Sequence, residues 1–277
     1  MVTMAMVTTK ATRITTNTIN ELTIQPLIVA MPNYKSFFYT FNTVQPIEVG
    51  RLQDDYIESM EHVRSGYVLL TSDAIQYSDP MEYLTSVKRL IDFYLHLMQA
   101  VKMLDSASII HRNWCFKNIL IKDGVLPLLQ GLEHATLRTR DELIRTPIEC
   151  RTIRHIVAHD LASISNTTIA DICRDNKEEQ TFLSKYVNKP SAHIIRSLLT
   201  KYSPTWNVYS LNEMILGLLN NPIKEDTFLY KWKKCLERGL TEERETADYF
   251  IQQTKTLMYA CNIAELTTVT TSSSTLL

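Results

Sequence analysis

His111-Arg112-Asn113-Trp114-Cys115-Phe116-Lys117-Asn118, running straight into Ile119-Leu120-Ile121, is the stretch on which the reading of this chain turns. It sets a histidine, an arginine and two amides, Asn113 and Asn118, ahead of a short apolar run, and it contains no acidic residue. Its flanks are strongly patterned. Over residues 84–104 the apolar positions Val87, Leu90, Ile91, Tyr94, Leu97, Met98, Val101 and Leu104 recur at three- and four-residue steps. That period predicts a core helix of about five turns. The helix leads through Ile109-Ile110 into His111. On the other side, residues 119–121 and 125–129 read as two short strands joined at Lys122-Asp123-Gly124, an Asp-Gly hairpin signal.

Further from this centre the patterns weaken. Residues 66–70 read as a buried strand and residues 34–41, rich in aromatics, as another. Leu22, Ile24, Leu27 and Ile28 suggest one helix interrupted at Pro26, and residues 43–65 a loop or partly helical insertion. Both ends are Thr-rich or Ser-rich with little charge. They are expected to be unstructured alone and to add as extended strands to a partner. No run reaches the ~20 apolar residues that span a bilayer, and none resembles a signal peptide.

Composition narrows the function classes. The 277 residues carry 29 basic and 30 acidic side chains, a net charge of −1, which leaves no footprint for nucleic acid. Six glycines allow few phosphate-cradling loops. The five cysteines, Cys115, Cys150, Cys173, Cys235 and Cys261, form no C-x-x-C, so a reducing compartment without structural zinc is expected. His155 and His159, with Asp160 beside them, have the helical spacing of a metal pair, but no H-E-x-x-H is present and an amphipathic helix is the simpler reading. Ser163 and Ser165 lack a nucleophile-elbow context. Lys231, Lys233 and Lys234 read as a solvated helix face, and Trp114, Trp206 and Trp232 as core anchors.

The central stretch resembles the catalytic loop of protein kinases, H-R-D-x-x-x-x-N, with Asn113 where the base aspartate would stand and Asn118 at the metal-binding amide. Other marks follow in order. Gln130-Gly131-Leu132 occupies the D-F-G slot, and Thr146-Pro147-Ile148-Glu149 that of A-P-E. Trp206-Asn207-Val208-Tyr209-Ser210-Leu211 resembles the start of the large central helix, with Asn207 at its aspartate. Thr241-Glu242-Glu243-Arg244-Glu245-Thr246 resembles the late segment whose arginine pairs with the A-P-E glutamate. Residues 228–259, with Met31-Pro32-Asn33-Tyr34-Lys35-Ser36-Phe37-Phe38 and Pro147-Ile148-Glu149-Cys150, look like the serine/threonine kinase-like proteins of large double-stranded DNA viruses, over roughly residues 20–260. The resemblance implies an α+β, protein-kinase-like fold: an N-terminal arm 1–19, a reduced β N-lobe 20–80, a mostly helical C-lobe 81–263 and a tail 264–277.

Departures from the family decide the expected function. There is no G-x-G-x-x-G and no V-A-I-K-like lysine; Lys35 is the nearest candidate, and Glu21 stands at the helix glutamate with no strand lysine of that kind to pair with. An amide at Asn113 cannot accept the substrate's proton, Gln130 or Gly131 cannot hold a metal, and Asn118 alone cannot keep Mg²⁺. The resemblance therefore implies a pseudokinase with no cofactor, no metal and no catalytic residue. His111, Arg112, Glu149, Asn207 and Arg244 would then be structural: His111 as a hydrogen-bonded core histidine, Glu149 and Arg244 as a buried ion pair. It also implies a virion-associated structural or interaction protein, a minor capsid or scaffold component in the virion or host cytoplasm. Its partners would be other protein chains, neither nucleic acid nor membrane. The alternatives are a viral serine/threonine kinase with residual or partner-dependent activity and a regulatory pseudokinase that binds an active kinase or host factor.

Overall fold

The computed structural model describes residues 7–13, 16–40, 43–47, 67–73, 77–139, 180–181, 184–197, 200–201, 203–240, 245–261 and 265–266. They build a mixed α+β molecule whose strands pair antiparallel. In chain order, β1 (Val7–Arg13) and α1 (Thr16–Val29) precede β2 (Thr43–Ile47), β3 (Tyr67–Asp73) and β4 (Tyr77–Ser78). The short α2 (Pro80–Tyr83) leads into α3 (Val87–Ser106), followed by β5 (Ile109–His111), β6 (Ile119–Lys122), β7 (Leu126–Leu129) and β8 (Ala135–Leu137). Then come α4 (Ser191–Ser197), α5 (Trp206–Leu218), α6 (Phe228–Arg238) and α7 (Ala247–Ala260).

Helix α3 is the axis of the core. Ser86 caps it, its hydroxyl accepting from the Arg89 N–H at 3.2 Å. All eight positions of its apolar period are buried. Each large aliphatic among them contributes about 1.5–3 kcal/mol by leaving water. Helices α5 and α7 pack on α3, and α6 bridges α5 and α7. Because α5 is covered on most sides, it is apolar nearly all round. Trp232 of α6 is wholly buried, edge-on to Tyr94 at 5.2 Å, and its indole N–H donates to the Thr254 hydroxyl at 3.0 Å. Among the described residues no helix is long and apolar enough to cross a membrane.

The strands form three small sheets, in the orders β1-β3-β2, β4-β6-β7 and β5-β8. The β6-β7 hairpin forms where the Asp-Gly signal predicts it. Asp123 and Gly124 both take positive φ, 52° and 70°, and the Val125 N–H donates to the Lys122 carbonyl at 3.1 Å. That is a type I′ turn, whose twist matches the strands it joins.

Several expectations need correction. Of residues 34–41, expected to be a strand, the described residues 34–40 do not form one. A left-handed Asn33 (φ 58°) starts a 3-10 turn at Tyr34–Ser36, and Phe38 makes one isolated parallel bridge to Leu129. The aromatics there signalled burial, with Phe38 only 2% exposed, rather than extended backbone. Residues 43–47, read as loop, are strand β2; its Pro46 is tolerated because β2 is a sheet edge. Pro26 does not interrupt α1. It forfeits one bond to the Leu22 carbonyl, but Ile24 and Ile28 bury the helix's inner face at 2% and 0% exposure while Pro26 stays exposed. Residues 7–13 of the N-terminal arm, expected to be unstructured alone, form β1, paired to the chain's own β3 from Val7↔Asp73 to Arg13↔Tyr67. The Thr/Val preference for extended backbone was right, and its partner is intramolecular. In the tail, Glu265 accepts the Phe228 N–H at 2.7 Å at the start of α6, and Leu266 packs on the core.

Candidate functional site

Strand β5 delivers His111 to the floor of the loop, and the N-terminus of α5 lies beneath it. Asn207, wholly buried, is the junction. Its Oδ1 accepts from the His111 N–H at 2.9 Å and from the Trp114 indole N–H at 3.4 Å. Its Nδ2 donates to the Asp105 carboxylate and to the Ile109 carbonyl, both at 2.8 Å. The amide orientation is unambiguous, because two neighbours can only donate and two can only accept. An aspartate at this position could accept the first pair but would set a second carboxylate against Asp105.

Asp105 ends α3 and is also bonded by Arg138, just after β8; both side chains are largely buried. Burial pushes the Asp105 carboxyl up to about 6, outweighing the opposing pull of Asn207 and Arg138. His111 is fully buried, edge-on to Trp114 at 5.6 Å. Its Nε2 faces the Gln130 carbonyl at 3.0 Å, so Nε2 carries the proton, and Nδ1 is left without a partner. Burial drives its pKa down to about 4; the Gln130 and Gly131 backbone opposes this, and nearby His134 and Arg112 add to it. The imidazole is neutral and built into the floor. The Arg112 Nε donates to the His134 carbonyl at 3.0 Å, tying the loop to the turn before β8.

The outer face of the loop is occupied by its own amides. Asn118 Nδ2 donates to the Asn113 carbonyl at 2.8 Å, Gln130 N–H to the Asn118 carbonyl at 2.8 Å, and Gln130 Nε2 to the Lys117 carbonyl at 2.9 Å. Gly131 sits at φ 79°, and a Cβ there would lie 2.9 Å from Asn118 Cγ. Both the left-handed backbone and the close approach require glycine. The side-chain amides of Asn118 and Gln130 therefore hold the loop's own backbone. They are neutral at every pH, and none can act as a general base. Among the described residues no three His, Cys, Asp or Glu side chains gather to hold a metal.

Lys35 lies exposed on the 3-10 turn rather than on a strand. The basic cluster of α6 is only partly a solvated face: Lys231 is exposed and Lys234 pairs with Glu237 at 2.9 Å, but Lys233 Nζ donates at 2.6 Å to the Leu219 carbonyl at the end of α5. Trp114, Trp206 and Trp232 are all buried, as expected of core anchors. Glu149, Arg244, His155, His159, Asp160, Ser163, Ser165, Cys150 and Cys173 lie outside the described residues. The sequence reading missed Asp105 and Arg138, since a polar residue ending a helix carries no sign that a distant arginine will reach it. It also missed a lysine-bearing strand ahead of α1: β1 carries Lys10, paired with Leu70. The run of Thr and Val around Lys10 was the available signal.

No protein-family model matches the chain, and no curated protein matches it in sequence.

Proposed function

We propose that this chain is a catalytically inactive, kinase-like protein that serves as a structural or interaction component, associated with the particle of a large double-stranded DNA virus. The observation that carries the inactive reading is the outer face of the loop. Asn113 stands where a base is needed and Gln130 where a metal-binding carboxylate is needed, and the amides of Asn118 and Gln130 are spent on loop carbonyls. Phosphoryl transfer rests on positioning and charge stabilisation, so losing base and metal sites together removes the shared transition-state support. The kinase-like reading is supported by the order of long helix, His-Arg loop, hairpin and glycine turn. The buried Asn207 that binds the loop from below supports it as well. The particle association, as minor capsid or scaffold protein with other virion proteins as partners, rests on the resemblance in residues 20–260.

A second reading, a serine/threonine kinase with residual or partner-dependent phosphotransfer, is favoured by one observation. Strand β1 carries Lys10 and the next helix carries Glu21, the succession that kinases use for the phosphate lysine and its glutamate. A thermal-shift series with ATP and Mg²⁺ separates the readings. A site filled at 100 times its Kd gains about 2.7 kcal/mol. A flat series supports the first reading; a saturable shift abolished by Lys10→Ala supports the second. Stoichiometric copies in purified particles are expected for a capsid or scaffold component, and their absence would sink that part of the proposal.

A further inference from the structure

We draw no further inference here: the strongest candidate, the apolar pocket that Met81, Leu84, Val87, Leu90, Leu218 and Leu229 line between α2, α3, α5 and α6, carries nothing because nothing among the described residues shows what covers it.

Discussion

The floor and the outer face of the His111–Asn118 loop use the same side-chain chemistry to opposite ends. Below, Asn207 fills all four of its hydrogen-bonding positions, accepting from two donors and donating to two acceptors, and so holds β5, α3 and α5 in register. Above, the amides of Asn118 and Gln130 bond only carbonyls of the loop backbone. An amide in the floor is a structural gain, because it donates to Asp105 where an aspartate would repel it. An amide on the outer face brings no charge and cannot serve as a general base. The difference is burial: unmet polar groups cost most where water cannot reach them.

That contrast can be broken most directly at Asn207. Asn207→Leu leaves the His111 N–H, the Trp114 indole and the Ile109 carbonyl unpaired, and we predict a loss of about 4 kcal/mol in urea unfolding. Asn207→Asp is expected to destabilise at neutral pH, and Asp105→Asn in the same chain to recover part of that loss. A double-mutant cycle with no coupling would remove Asn207 from the centre of the network.

The next effect is electrostatic. His111 is depressed from 6.5 to about 4, so its contribution is present above pH 6.5 and lost as pH falls toward 4. Asp105 is raised from 3.8 to about 6, so its contribution is present below pH 3.8 and lost as pH rises toward 6. Each shift is worth about 3 kcal/mol, with opposite slopes that nearly cancel across the shared window. Asp105→Asn uncovers the His111 slope. Its urea midpoint should fall more steeply than that of wild type between pH 6 and pH 4, and parallel curves would contradict the pairing of slopes.

Smaller effects sharpen the outer face. Gly131→Ala forces a side chain onto Asn118 at a positive φ and should cost about 1–3 kcal/mol in thermal or urea unfolding. Asn113→Asp, alone or with Gln130→Asp, is expected to change stability by under about 0.5 kcal/mol and to yield no phosphate transfer to a generic substrate. Transfer from either variant would show that a nucleotide site persists, and would favour the kinase reading with Lys10 as its phosphate ligand.

Helix α3 and the β6-β7 hairpin were legible in residue order because their causes are local. A buried face repeats every three to four residues, and an Asp-Gly pair adopts the two positive φ values of a tight turn. The expectation that His111 and the three tryptophans are core residues agrees with their burial. Tertiary structure alone decided the rest. The 3-10 turn at Tyr34–Ser36 exists because Phe37 and Phe38 find His96 and Leu129 across the fold. Thr-rich residues 7–13 became a strand because β3 offered an edge, and Glu265 was fixed by the open amide of Phe228. The buried charge of Asp105 depends on an amide 102 residues away and an arginine 33 residues away. Each of these contacts satisfies a polar or apolar group whose partner is chosen by the folded chain, and no local pattern encodes a partner.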